Sequence, residues 1–248
     1  YEMPKWLEFR RVLFRSNHFI NKLEAANTIQ VDILSSFKVI INGTEKMDGW
    51  NQRYAKSLFL FLTFNQTTTR EQICDALFPE VPLKQAMKNL KVYLNYLKRL
   101  VEVEDGVQPI LMMDKEHVAL RGSIRSDVIK LKNDLRKTQI EENPLLKKKL
   151  CKEILSSLPD TLLPGLYDDW IISYRSDLEN QIVELVKEVA DLEEEQENFQ
   201  ESVSLINVAL KYQPENEWLY DRFINLYKKI KRAMSKKRGI SSNWSYIL

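Results

Sequence analysis

The chain has 248 residues, of which 44% are hydrophobic and 29% are charged, with a formal net charge of +2. This composition excludes a disordered chain, and no apolar run approaches the roughly 20 residues that a membrane-spanning helix needs. Few glycines and prolines, 6 and 8, favour a largely helical fold. The charge is uneven, with net +2 over residues 28–125 and net −6 over residues 126–231. Only the front half therefore suits a nucleic acid.

Residues 1–27 are set apart from the rest of the chain. The segment EFRRVLFRS, residues 8–16, resembles a translated sequencing adapter. We therefore predict that residues 1–16 are foreign to the natural protein, with a short basic amphipathic helix as the alternative. Arginines interrupt the apolar runs, which argues against a signal peptide. The fold prediction starts at residue 28.

Residues 29–47 predict a small β-structure. The segment IQVDILSSFKVII (29–41) alternates and is rich in β-branched residues, as strands are. Asn42-Gly43 is a typical two-residue hairpin turn, and a short return strand is expected near residues 45–47.

Two helices are predicted next. The first covers residues 52–65, and its buried face is predicted to contain Ala55, Leu58, Phe59, Phe61 and Leu62. The second ends at Leu77, and Thr68 and Glu71 have the spacing of a capping box at its start. A loop that contains Pro79 and Pro82 then precedes a third helix.

The third helix, predicted over residues 83–101, has two contrasting faces. One face is an apolar stripe at three- and four-residue spacing, formed by Leu83, Met87, Leu90, Leu94, Leu97 and Val101. The other carries cations, amides and tyrosines, and the whole segment contains no acidic residue. Such a face suits the phosphates of a nucleic acid, whereas an ordinary solvated surface helix is the alternative.

Residues 110–113 and 117–120 predict two short strands around the polar turn Asp114-Lys115-Glu116. The predicted order from residue 28 to residue 120 is therefore strands, three helices and a hairpin. A helix–loop–helix pair with a basic second helix, followed by a β-hairpin, is typical of a winged helix-turn-helix. We assign this domain to residues 28–122.

Residues 123–232 predict a helical domain. Ser126 is expected to cap a helix that ends at Gln139, with later helices over residues 144–157, 168–195, 198–211 and 216–231. Helical pairs of this length suggest repeats of about 34 residues, and Ala209 and Pro214 fall at tetratricopeptide positions. Residues 233–248 lose the pattern and are assigned to a tail or truncated repeat. The predicted fold is mainly α with small β elements: a winged helix-turn-helix followed by an all-α tetratricopeptide-like domain.

Five segments of the chain resemble the SARP-type transcription activators, the antibiotic regulatory protein family of bacteria. They are RYAKSLFLFL (53–62), TTREQICDALFPE (68–80), QAMKNLKVYLNYLKRL (85–100), RSDVIKL (125–131) and LLPGLYDDWI (162–171). The resemblance implies an OmpR/PhoB-type winged helix and a bacterial transcriptional activation domain (BTAD) in a cytoplasmic, nucleoid-associated protein. It implies no cofactor, and its partners would be RNA polymerase and promoter DNA, bound by side-by-side protomers on direct repeats.

The resemblance also implies which residues meet DNA. On the recognition helix they are Lys88, Asn89, Lys91, Val92, Tyr93, Asn95, Tyr96, Lys98 and Arg99, and in the wing Lys115 and His117. By their chemistry, Lys91, Lys98 and Arg99 suit phosphates. Asn95 suits an adenine edge and Val92 a thymine methyl group.

Two further features of the family apply to this chain. Related proteins commonly carry arginine where this chain has Tyr96, so guanine readout is not expected there. The loop between the second and third helices corresponds to one that touches RNA polymerase, and it contains Phe78, Pro79, Glu80, Val81 and Pro82.

Candidate catalytic and metal-binding residues are few. Asp168 and Asp169 are adjacent, so their carboxylates point to different helix faces, and a structural role at a helix start is favoured. The two histidines and two cysteines have no zinc-site spacing, and Cys74 and Cys151 are predicted to be buried thiols. No glycine-rich phosphate loop or activated nucleophile is present. We predict no enzymatic activity and no metal site.

One other class of function stays open from the sequence, a protein-interaction scaffold that does not bind DNA. In that case the acidic run DLEEEQENFQE (191–201) would be a docking surface. A solvated helix end is favoured for this run. Trp170 is predicted to be a core anchor.

Overall fold

The computed structural model describes residues 27–52, 54–65, 67–102 and 109–243, with side chains up to residue 235. The predictions for residues 1–16 therefore lie outside the described residues. The chain forms two compact units. The first runs through Ile129 and includes Gly165–Ile172, and the second comprises Lys130–Pro164 and the residues from Ser173 onward.

A four-stranded sheet opens the first unit. Its strands are β1 (Thr28–Asp32), β2 (Lys38–Ile41), β3 (Thr44–Glu45) and β7 (Ser123–Ser126), in the order β3-β2-β1-β7. The apolar run predicted over 29–41 is thus two antiparallel strands, with Ile29 opposite Ile41. Asn42 and Gly43 form the predicted hairpin turn with positive φ angles of 50° and 80°. The sequence did not predict β7, which pairs with β1 in parallel.

The predicted order of three helices followed by a hairpin is confirmed. The elements are α1 (Ala55–Phe64), β4 (Thr68–Thr69), α2 (Arg70–Leu77), α3 (Leu83–Val101), β5 (Leu111–Met113) and β6 (His117–Leu120). The last two strands form a sheet with β4, in the order β4-β6-β5. The capping box lies one residue later than predicted, on Thr69 and Gln72 instead of Thr68 and Glu71. The shift arises because Thr68 and Thr69 are strand residues, so α2 begins at Arg70.

Trp170 packs against α1, although it is only half-buried, so the prediction that it lies in the core is not borne out. Its indole Nε1 donates to Ser57 Oγ at 2.8 Å, and Ser57 is buried in α1. The Trp170 ring makes edge contacts with Phe61 and Phe64, at centroid distances of 5.3 and 6.0 Å. The segment around Trp170 therefore packs against the apolar side chains of α1.

Long helices make up the rest of the chain. They are α4 (Asp127–Gln139), α5 (Pro144–Ser157), α6 (Asp169–Glu195), α7 (Phe199–Tyr212) and α8 (Glu217–Asn243). The predicted helices are confirmed, except that α8 continues well past residue 231 into the segment assigned to a tail. Asp168 lies at the start of α6, where its carbonyl accepts hydrogen bonds from the amides of Ile171 and Ile172. A small sheet followed by a helical domain matches the predicted fold class.

The expected cap of α4 by Ser126 is wrong. Ser126 Oγ is buried and has no hydrogen-bond partner among the described residues. The next residue, Asp127, accepts backbone hydrogen bonds instead. Its carboxylate accepts the N–H groups of Ile33 and Leu34, each at 2.8 Å, and of Val128 at 2.7 Å. Asp127 thereby ties the end of β1 to the start of α4, even though burial raises the pKa of its carboxyl.

The acidic run at residues 191–201 is held largely in ion pairs within the second unit. Glu193 pairs with Lys148 at 2.9 Å, and both side chains are buried. Glu194 pairs with Arg222 and Lys229, at 2.6 and 2.7 Å. Asp191 also pairs with Arg222, and Glu201 with Lys152, although both acidic side chains stay about half exposed, so the run is in part a solvated helix end. Most of the run's charge is neutralised locally, which removes the main support for a docking surface there.

Candidate nucleic-acid interface

The recognition-helix candidate, α3, is anchored along one side. Leu90, Leu94, Leu97 and Val101 are fully buried, as predicted. Leu83 is 48% exposed because it is the first residue of the helix, and Ala86 is buried in the turn that follows. The prediction that Leu83 belongs to the buried stripe is therefore wrong.

The opposite side of α3 is a continuous exposed face. At 100° per residue its members fall within about a quarter-turn of the helix: Lys84, Lys88, Lys91, Val92, Asn95 and Arg99. All six are exposed, and Val92 has 65% of its surface accessible. In the described part of the chain, the four cations of this face form no ion pair. Lys98, at the edge of the face, pairs with Glu102 at 3.5 Å.

Three predicted contact residues of α3 have partners within the first unit. Tyr93 packs against Tyr54 and Phe78, at centroid distances of 5.4 and 6.0 Å. Tyr96 donates its hydroxyl hydrogen to the carbonyl of Gly49 at 2.6 Å. Asn89 accepts a hydrogen bond from Gln85 at 3.1 Å. All three are half-buried, so any contact with DNA would use only part of each side chain.

Gly49, whose carbonyl accepts the Tyr96 hydrogen bond, lies close to α3. Its φ of +86° favours glycine, and a Cβ there would lie 2.6 Å from Leu100 Cδ1 and 3.2 Å from the Tyr96 hydroxyl. Glycine therefore suits this position mainly because it adopts the left-handed backbone conformation without strain. The Tyr96 hydrogen bond connects α3 to the loop after β3.

The hairpin of β5 and β6 is the candidate wing, and its turn is tightly held. The amides of His117 and Glu116 donate to the Asp114 carboxylate, at 2.5 and 2.7 Å, and hold the pKa of that carboxyl below its ordinary value. The Arg70 guanidinium donates twice to the Asp114 carbonyl, at 3.2 and 2.9 Å. Lys115 and His117 are both exposed beside this turn.

Arg70 was not among the predicted site residues. Besides its side-chain contacts, its backbone N–H donates to the carbonyl of Glu116 at 2.9 Å. The start of α2 therefore fixes the wing at two carbonyls. Nothing in the local sequence predicts this, because Arg70 and the wing turn are more than 40 residues apart in the chain.

The loop from residue 78 to residue 82, predicted to touch RNA polymerase, is only partly available. Phe78 is buried and contacts Tyr54 at 4.9 Å. Val81 is half-buried, whereas Pro79, Glu80 and Pro82 are exposed. A partner could therefore reach the three exposed residues without disturbing Phe78.

The described residues offer no metal site and no exposed thiol. No group of three or more histidine, cysteine, aspartate or glutamate residues there could hold a metal ion. Cys74 and Cys151 are buried, as predicted, and burial raises the pKa of both thiols. Over the same residues, no helix combines the length and apolarity needed to cross a bilayer.

Comparisons with known proteins support this fold. No protein-family model and no curated protein sequence matches the chain. Among solved structures, the chain is similar to Mycobacterium tuberculosis EmbR in complex with a low-affinity phosphopeptide. The TM-score is 0.58 at 17% identity, over 85% of this chain and 57% of the EmbR chain. The chain thus shares its fold with that neighbour and spans little more than half of the neighbour's length.

Proposed function

We propose that this protein is a sequence-specific DNA-binding transcriptional regulator of the SARP type. The observation that carries the proposal is the exposed face of α3, whose four cations have no ion pair among the described residues. Such cations bind phosphates by displacing condensed counterions. The protein would act as an activator in the bacterial cytoplasm, on promoter DNA.

The geometry of α3 suits the major groove. Lys84 and Arg99 are 15 residues apart, which corresponds to about 22 Å of helix at 1.5 Å per residue. An α-helix fits the major groove, which is about 12 Å wide. In this arrangement Lys88, Lys91 and Arg99 bind backbone phosphates, while Asn95 and Val92 face base edges. The exposed Lys115 of the wing would contact the DNA backbone or the minor groove.

Two partners follow from the same proposal. Side-by-side protomers would occupy direct repeats in the promoter, each inserting its own α3. The exposed residues Pro79, Glu80 and Pro82 would contact RNA polymerase, because the loop that carries them adjoins the N-terminus of α3.

The first test removes the charge of Lys91 and Arg99 together, by replacing both with glutamine. Fluorescence anisotropy with genomic DNA fragments over a salt series should show weaker binding to every sequence. The slope of log K against log salt should become shallower by about 2. The matched control, Lys130→Gln with Lys149→Gln, removes two exposed cations of α4 and α5 and should leave the slope unchanged. An unchanged slope in the α3 variant would contradict the phosphate role.

The second test concerns base readout by Asn95. Asn95→Ala should relax the sequence preference at one or two base positions, at a cost of about 1–3 kcal/mol for the preferred base there. Selection from a randomised DNA library, compared between wild type and variant, measures this. A uniform loss of affinity at all sequences would instead make Asn95 a backbone contact.

The alternative is a protein-interaction scaffold that does not bind DNA. Its best sequence support was the acidic run at residues 191–201, most of whose charge is paired within the second unit. If the folded chain fails to bind DNA even at low salt, the scaffold replaces the regulator as the proposed function.

A further inference from the structure

The last helix, α8, exposes a row of large side chains. Tyr220, Ile224, Tyr227 and Met234 have between 46% and 53% of their surface accessible. They lie on one side of α8, with Lys231 in line between the last two. These five residues are called the α8 stripe. Single exposed apolar residues are ordinary on a protein surface, but four in a row on one helix indicate a contact surface.

The spacing of the α8 stripe is that of a coiled-coil seam. Successive members are separated by four, three, four and three residues, which is the alternation of a and d positions in heptads. From Tyr220 to Met234, 14 residues further on, the stripe is about 21 Å long at 1.5 Å per residue. The other side of α8 is already packed, with Leu219, Leu226 and Ile230 buried. The stripe therefore offers room for one more helix.

The charge of α8 selects the kind of helix that would fit. Arg222 and Lys229 are paired with acidic residues of α6. Lys228, Lys231 and Arg232 are exposed and form no ion pair within the described chain. No aspartate or glutamate follows Asp221 anywhere in the sequence, so this end of the helix has no acidic residue of its own.

We propose that the α8 stripe docks an acidic amphipathic helix of a partner protein. Apolar side chains of the partner would fill the spaces around Ile224, Tyr227 and Met234. Its carboxylates would face Lys228 and Lys231, and a cation at an a position accepts only a partner that offers it an acceptor. This inference does not depend on DNA binding.

Charge and polarity argue against two other occupants. A second copy of α8 packed in parallel would place its own lysines and arginine beside these ones, and such like-charge contacts are unfavourable. A membrane surface would have to take up the ammonium of Lys231, which lies within the stripe. Interfacial helices instead present an uninterrupted apolar face.

The test uses a synthetic, fluorescein-labelled helical peptide with leucines at a and d and glutamates beside them. A matched peptide has glutamine at every glutamate position. Anisotropy with the full chain should show about tenfold tighter binding of the acidic peptide. Ile224→Asp should abolish binding. Lys231→Glu should weaken binding about tenfold, and a peptide with lysine at the facing positions should restore it.

The control for charge alone is Lys130→Glu, an exposed cation of α4, which should leave peptide affinity unchanged. Equal affinity for the glutamate and glutamine peptides would overturn the proposal. It would also be overturned if sedimentation showed dimers that Ile224→Asp dissociates. Co-sedimentation with phosphatidylglycerol vesicles, without any peptide binding, would show a lipid surface as the occupant instead.

Discussion

Replacing Glu193 with glutamine is expected to lower the free energy of unfolding of the second unit by about 3–5 kcal/mol. The Glu193 carboxylate lies 2.9 Å from the Lys148 ammonium, and each side chain is less than one-tenth exposed. Lys148 also donates to Gln196 Oε1 at 2.8 Å, and Asn198 donates to Glu193 Oε2 at 2.9 Å. Glutamine would leave the buried Lys148 ammonium without its counter-charge. An unpaired buried charge accounts for most of the cost of breaking such a pair.

The stability losses from removing the two charges are expected not to add. Lys148→Met combined with Glu193→Leu removes both together, and it should recover most of the stability lost in the single variant. Glu153→Gln is the surface control, because Glu153 pairs with Lys149 at 3.8 Å with both side chains largely exposed. It should change the free energy of unfolding by less than about 0.5 kcal/mol. Urea unfolding followed by circular dichroism measures all of these variants.

The effect of Glu193 should depend on pH in a defined direction. Burial alone would raise the pKa of Glu193, but hydrogen bonds from Asn198 and Lys148 and the Lys148 charge outweigh it, so the pKa lies below 4.5. A carboxyl whose pKa is lower in the folded state stabilises the fold at neutral pH. That stabilisation is lost as the pH falls through the folded-state pKa. The difference between wild type and Glu193→Gln should therefore shrink below about pH 4. A constant difference from pH 7 to pH 3 would contradict the pairing.

The structure separates what local sequence patterns can predict from what they cannot. The helices were predictable because periodicity, proline positions and turn residues are local signals, as the hairpin turn at Asn42-Gly43 illustrates. Strand β7 was not predictable, because its residues SIRS do not alternate and its partner β1 lies over 90 residues earlier. The cap of α4 by Ser126 was wrongly predicted for a similar reason. The residue that accepts hydrogen bonds there is Asp127, and two of its donors are amides that precede it by more than 90 residues.

The candidate interface shows the same division. A helical wheel places Lys88, Lys91 and Arg99 on one face of α3, and the structure exposes all three. A helical wheel cannot show that Tyr96 reaches the Gly49 carbonyl, since that contact joins residues 47 positions apart. The wheel marks which side of a helix is polar, whereas tertiary contacts decide which polar groups remain available to a partner.

Trp170 gives the second large expected effect, a loss of about 3 kcal/mol of stability from the first unit on replacement by alanine. The substitution removes a ring that contacts Phe61 and Phe64, and it leaves Ser57 Oγ buried in α1 without its hydrogen-bond donor. Each loss adds to the cost, because ring contacts are lost and Ser57 loses its hydrogen-bond donor. Tyr167→Ala, in the same segment but largely exposed, is the control and should be nearly neutral.

Two further variants separate packing from hydrogen bonding at this position. Trp170→Phe keeps an aromatic ring but not the donor, and Ser57→Ala removes the acceptor. The double-mutant cycle should give an interaction energy of about 1 kcal/mol for the hydrogen bond. Thermal and urea unfolding of the full chain measure it, and the helical unit, which lacks these residues, is the internal reference. Equal losses for Trp170→Ala and Tyr167→Ala would mean that Trp170 is a surface residue. The expected difference of about 3 kcal/mol between the two variants would show that Trp170 stabilises the packing of its segment against α1.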